Sequence, residues 1–261
     1  PPTCRVAAHP TRQVTAHLSP SDSPSYVPSD SPSSEPSDSP SDSPSSAPTF
    51  ESVSHDVCGN FAVHAGTTIT FAGGETTIDS GDVGVYPGTS ITGYYHLDAG
   101  AVVTDADFAA SVLEVHKEAM AVHPNETPIA IEMGGEKFMP GIYRSGSALN
   151  FAHGTVVTLD GNDEPNPVFL FIAGSTLVTA ADTHFIMKNG AKAENVYWVL
   201  GTAATLGANS VVKGSILAGT AITFGTNSVL HGCALAQSAV TFASDGSVIM
   251  NHYIGDDEDG S

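Results

Sequence analysis

The chain has 261 residues, of which 28 are acidic and 8 basic, for a net charge of -20. That excess argues against a nucleic-acid partner, which needs basic patches, and against an anionic membrane surface. The length allows one large domain or two small ones, and no apolar run reaches the roughly eighteen residues of a membrane-spanning helix.

From Ser19 to Pro48 the chain repeats S-D-S-P and S-P-S-D, with almost nothing that could form a core. This composition predicts a disordered N-terminal segment over 1–58, readable as a modified spacer or as an inert solvated tail. The sequence starts at Pro1 rather than Met, as a processed or partial form would. A folded domain is expected over 59–253, with an acidic disordered tail at 254–261.

The stretch 61–95 reads as short strands broken by Gly turns, and Thr67-Thr68-Ile69-Thr70-Phe71 alternates polar and apolar positions. The pattern then changes. Ala109, Val112, Leu113, His116, Ala119 and Met120 recur at helical spacing, which predicts one amphipathic helix over 104–123. Thr104 is its expected N-cap, acids follow in the first turn, and Pro124 stops it. Asn125-Glu126-Thr127 is a glycosylation sequon in the loop beyond. Strands resume at Gly146–Phe151 and Ser175–Thr179. VFLFIA at 168–173 and NVYWVL at 195–200 are apolar runs that read as buried strands. The polar turn 160–167 lacks the spacing of a calcium loop.

The most informative stretch is 201–242. GTAATLGANSVVKGSILA and GTAITFGTNSVLHGCALA are each eighteen residues long and align without a gap, and QSAVTFASDGSVIM begins a third copy. A fixed period rich in Thr, Val, Ile and Ala, with Gly and Asn marking a turn, is the signature of a stacked-coil repeat. Side chains on a strand alternate in direction. The apolar Ala204 and Leu206, Ile222 and Phe224, and Val240 and Phe242 therefore point inward. Ala203 and Thr205, Ala221 and Thr223, and Ala239 and Thr241 point outward. Coils stack about 4.8 Å apart, so the outer face should carry a file of Ala beside a file of Thr. Val211–Lys213 and Val229–His231 form the next side, where Lys213 and His231 face outward. Ser215–Ala218 and Cys233–Ala236 form a third side, small and apolar enough to accept the helix.

Three cysteines, Cys4, Cys58 and Cys233, make neither a disulfide framework nor a metal motif. A Cys58–Cys233 bridge is one reading. The other is that Cys233, which takes the place of Ser215 one coil earlier, is a small core residue.

DVGVYPGTSITG at 82–93, VFLFIAGSTL at 168–177 and AENVYWVLGTAATLGANSVVKGSILAGTAIT at 193–223 resemble the microbial ice-binding (antifreeze) protein family over about residues 61–253. The resemblance implies a mostly β fold: a right-handed, discontinuous β-solenoid with triangular coils. One long α-helix packs alongside, and the N-terminal strands stack out of sequence order. It also implies adsorption to an ice crystal surface through one flat face, with thermal hysteresis and inhibition of recrystallisation. Some members carry a T-A/G-x-T/N motif on that face. Thr202–Thr205 and Thr220–Thr223 match it fully. Ser147–Asn150 and Ser238–Thr241 match with Ser for Thr, whereas Thr67–Thr70 and Thr176–Thr179 depart at the second position. The ice-contacting residues are therefore expected to be Thr68, Thr70, Ala148, Asn150, Thr179, Ala203, Thr205, Ala221, Thr223, Ala239 and Thr241.

Each Thr offers a hydroxyl that donates and accepts beside an apolar methyl. The central coils hold only scattered acids, Asp182, Glu194 and Asp245, and the chain has no H-E-x-x-H, G-x-S-x-G or phosphate loop. An enzyme is therefore not expected, nor a cofactor or metal. A secreted or extracellular monomer is expected, with no nucleic acid and no membrane insertion. The alternative is a carbohydrate-binding or adhesive extracellular solenoid, and, further off, a polysaccharide lyase-like enzyme.

Overall fold

A computed structural model describes residues 57–250. The expected Ser/Pro/Asp segment up to residue 56 and the acidic tail from residue 251 lie outside the described residues. The folded unit opens with strands β1 (Phe61–Ala65), β2 (Thr68–Ile78), β3 (Asp82–Val85), β4 (Ser90–Leu97) and β5 (Val102–Val103). Helix α1 (Ala106–Met120) follows, and short strands then alternate with turns up to Ser247–Ile249. Strand pairing is parallel throughout the described residues.

Three faces run along the stack. One is a nine-stranded sheet in the order β5, β3, β1, Ala234–Ala236, Ser215–Ala218, Val196–Leu200, Phe169–Ala173, Gly141–Ser145, Thr127–Pro128. The other two are joined into one thirteen-stranded sheet because β2 turns the corner between them. Thr68–Phe71 of β2 pairs with Ala239–Phe242, and Thr77–Ile78 pairs with Ser247–Val248. The chain's first coil thus docks against its last, with β4 stacked outside β2. The expected out-of-order insertion is present, and β5 and Thr127–Pro128 end at opposite edges of the nine-stranded sheet.

Helix α1 bridges those edges. Fifteen residues at about 1.5 Å each give about 22 Å, against about 38 Å for eight strand steps, so extended segments complete the crossing. The helix begins two residues later and ends three earlier than its sequence pattern suggested. Asp105, not Thr104, is the N-cap, and its carboxylate accepts from the Phe108 N–H. Val112, His116 and Ala119 are buried, while Leu113 is 52 % exposed. Ala119 packs with Leu170, Ile172, Tyr197 and Val199, and Val112 with Leu217 and Leu235, so the small apolar side does accept the helix. His116 Nε2 donates to Leu200 O at 2.8 Å. Arg144 secures the far end: it pairs with Glu126 at 2.7 Å and donates to the Ala121 and Met120 carbonyls, the orphan acceptors of a helix C-terminus.

The interior consists of stacked columns of like side chains. Phe224 lies 4.2 Å from Phe242, Phe242 5.0 Å from Phe71, and Phe71 4.3 Å from Tyr95. A second column stacks Tyr143, Phe171 and Trp198. Asp182, Asn209, Asn227 and Asp245 hold the left-handed turn position of successive coils at φ of 49–58°, a conformation that Asn and Asp tolerate. Their side chains form a ladder: Asn227 donates to Asn209 and Asn209 to Asp182, each at 3.2 Å.

Cys58 and Cys233 are joined by a disulfide that closes 175 residues. Cys58 sits just before β1 and Cys233 just before Ala234–Ala236, the strand on which β1 docks. The bond therefore spans the one junction where stacking departs from chain order, and the fold includes Val57 and Cys58 as well as the stretch from residue 59.

Candidate binding face

The face formed by β4, the first half of β2, and strands Ala239–Phe242, Ala221–Phe224, Ala204–Leu206, Leu177–Thr179 and Leu149–Phe151 is set by its inward residues. Ile69, Leu149, Leu177, Ile222 and Val240 are 0 % exposed and Ala204 is 1 % exposed. Their immediate neighbours along the strand must point out. The register then places Thr92, Thr70, Thr241, Thr223, Thr205, Val178 and Asn150 in one outward file. Beside it runs a second file of Ser90, Thr68, Ala239, Ala221, Ala203, Thr176 and Ala148.

A third file, one residue earlier, forms the edge. Backbone N–H groups there donate straight down the stack, from Thr67 to Ser238, Ser238 to Thr220, Thr220 to Thr202, Thr202 to Ser175 and Ser175 to Ser147, at 2.7–2.9 Å. At the corner just before, Gly219 lies over Gly201, and a Cβ on Gly219 would come 2.4 Å from Gly201 O. Glycine there lets the coils approach closely enough for the files to hold one spacing.

No charged side chain enters the files between Thr92 and Asn150. Among the described residues the hydroxyls of Thr205, Thr223 and Thr241 have no protein partner, and Thr92 Oγ1 reaches Thr70 Oγ1 at 3.5 Å. Glu132, bridged to Asn150, is the next residue along the file and ends the uncharged array. Its carboxylate caps the coil that carries Asn150 by accepting from Ala152 N at 3.0 Å.

The expected site residues Thr68, Thr70, Ala148, Asn150, Ala203, Thr205, Ala221, Thr223, Ala239 and Thr241 come together on this face. Thr179 does not. It is 1 % exposed, stacks between Phe151 and Leu206 in an inward column, accepts from Gly207 N at 3.0 Å and donates to Ser210 Oγ at 3.4 Å. Aligning Thr176–Thr179 with Thr202–Thr205 was one residue out of register, and such a slip reverses every side chain. The preceding strands settle it. Phe169–Ala173 pairs with Val196–Leu200 without interruption, so Ser175 lies over Thr202, Leu177 turns in and Val178 turns out. The gapless alignment of IAGSTLV with VLGTAAT carried that signal. Ser90 and Thr92 were also missed, although Gly88–Thr92 reads GTSIT and Gly66–Thr70 reads GTTIT.

The neighbouring face is different in kind. Lys213 and His231 stack there as expected, with Ile249 beyond, and burial lowers the pKa of Lys213. Asp160 is held down to about 2, chiefly by its hydrogen bond to Lys137 and also by Asn162 N–H and Asn189.

The geometry defines a class: a rigid parallel solenoid offering one flat, uncharged, regularly spaced Thr/Ala surface. Residues 63–248 match the sequence model of the family described as Ice-binding-like, and the chain belongs to that family. It is 34% identical to the ice-binding protein of Nostoc sp. (strain HG1) over 164 residues, 61% of this chain and 59% of that protein, so the match spans little more than half of the relative's length. Two solved structures superpose with a TM-score of 0.70 over 76% of this chain. One is an ice-binding protein from an Antarctic biological consortium, 31% identical and covered to 90%. The other, from the Antarctic ascomycete Antarctomyces psychrotrophicus, is 30% identical and covered to 99%.

Proposed function

We propose that this chain adsorbs to ice through the Thr/Ala face, lowering the freezing point by thermal hysteresis and inhibiting recrystallisation. The observation that carries this reading is the unbroken run of Thr92, Thr70, Thr241, Thr223 and Thr205 in a single file, flanked by Ser, Thr or Ala. The methyls hold water between them and the hydroxyls anchor it. Each hydrogen bond nets only about 1 kcal/mol, so adsorption needs many contacts at once. A scaffold that is already ordered meets little further ordering cost on binding. The contact set is the expected one without Thr179 and with Ser90, Thr92, Thr176 and Val178 added.

The same reading makes the protein a non-enzymatic, extracellular monomer. The disulfide supports an oxidising compartment. The test is to grow a single ice crystal in dilute protein. Faceted growth and a gap between melting and freezing points are expected. A rounded crystal with no gap, together with unrestrained recrystallisation, overturns the proposal.

A further inference from the structure

A cleft of about 320 Å³ lies where the first half of α1 crosses the corner between the nine-stranded sheet and the Thr/Ala face. Ala110 and Leu113 of α1 form one wall, Tyr86 and Pro87 the other, and the polar side chains of the lining are His64, Gln237 and the Tyr86 hydroxyl. His64 is 3 % exposed. Its ring packs edge-on against Phe61 and Phe108, with centroids at 5.6 and 5.2 Å. Neither Nδ1 nor Nε2 has a hydrogen-bond partner among the described residues.

A buried polar group without a partner is uncommon in a folded protein. Here both nitrogens of one buried ring are unmet, and His64 belongs to the lining of the cleft. Nothing in the proposed ice contact uses this residue, because the flat face is built from strands on the other side of the corner. From this juxtaposition of apolar cleft and unpartnered imidazole we propose that the cleft binds a small, neutral, ring-bearing organic molecule that presents one hydroxyl to His64.

The class follows from the lining. Pockets for small molecules span roughly 300–1,000 Å³, so this one suits a one- or two-ring body. Burial lowers the pKa of His64, with Asp105 opposing, so at neutral pH the ring is uncharged and offers one donor and one acceptor. A hydroxyl can meet one of the two nitrogens, donating to the unprotonated one or accepting from the N–H. An anion is disfavoured: the helix N-terminus that would attract it is already capped by the Asp105 carboxylate. A cation meets no carboxylate in the lining. Leu113, 52 % exposed at the rim, and Tyr86, 39 % exposed, give such a ring an apolar approach.

The test uses the full, disulfide-bonded chain with phenol as probe and toluene as its hydroxyl-free match, followed by the His64 ring signals in long-range ¹H–¹⁵N NMR. Phenol should bind saturably, move the His64 ring resonances, and bind about tenfold more tightly than toluene. His64→Leu should abolish the preference for phenol. Ala110→Trp, on the exposed side of the helix where folding is not threatened, should close the cleft to both. A cleft that holds only water gives no saturation by either probe, and that overturns the proposal. So does equal binding of phenol and toluene, or phenol binding that leaves the His64 signals in place.

Discussion

The Thr/Ala face and its neighbour are made by the same coils, pair in the same parallel register and cover the same core. Ala221–Phe224 and Val229–His231 are separated by a single turn. Yet one face repeats Thr over Thr for five coils, while the other changes at each step, from Lys213 to His231 to Ile249. The backbone therefore supplies spacing to both faces and recognition to neither. What separates them is whether each coil repeats the chemistry of the last. A long charged side chain lifts a rigid surface off the plane and keeps its own water, whereas methyl and hydroxyl groups of one height leave the plane open.

The largest expected effect tests that distinction at the centre of the Thr file. Thr223→Tyr should remove most thermal hysteresis, with far-UV circular dichroism and melting temperature nearly unchanged, since position 223 is exposed. Thr223→Val should cost far less, because it removes one hydroxyl and keeps the height. Full activity in a folded Thr223→Tyr protein would show that the contact lies elsewhere.

Next comes the joint. Thr70 and Thr92 reach the file only because β2 and β4 dock beyond the last coil, and Cys58–Cys233 bridges that docking site. Cys58→Ser should destabilise the unit by about 2–5 kcal/mol, read as a lower melting temperature, and should leave partial hysteresis from Thr205, Thr223 and Thr241. Unchanged melting in Cys58→Ser would mean that the packing of β1 alone holds the joint.

Acid should separate the faces by stability rather than by contact. Asp160 has a folded pKa depressed to about 2, so its contribution is complete above its unfolded value of about 4 and is lost as pH falls toward 2. His64, also depressed, contributes fully above about 6.5 and loses that contribution as pH falls through its lower folded value. Melting temperature should drop in both windows, and Lys137→Met should remove most of the step below pH 4. Hysteresis per folded molecule should not follow, because the file from Thr92 to Asn150 contains no titratable group.

A smaller effect is expected at Val178, the break in the Thr file, 36 % exposed. Val178→Thr extends the run by one coil and should raise hysteresis modestly; a loss would mean that the contact prefers a methyl there. The smallest effect is on the other face. Lys213→Ala should leave hysteresis within error of the unmodified protein, and a large loss would assign the contact to that side.

Much of this was legible in the residues. The eighteen-residue period determined the stacked coils, and alternation of Ile222 and Phe224 with Ala221 and Thr223 determined which side of the strand faces out. Val112, His116 and Ala119 marked the helix and its buried stripe. These are local facts, written in periods of 18, 2 and 3.6 residues. Other features depend on residues far apart in the chain. Thr179 looked like a member of the file because Thr176 and Thr179 hold the first and last motif positions, although Leu177 departs at the second; the uninterrupted pairing of Phe169–Ala173 with Val196–Leu200 turned it inward. Thr92 joined the file, and Cys58 met Cys233, only when the first coil docked on the last. His64 gives no sign in sequence of lining a cleft, since the helix that covers it begins only at Ala106. Period and alternation fix what one coil looks like, but register at an insertion and proximity across the stack are decided by which buried surfaces close against each other.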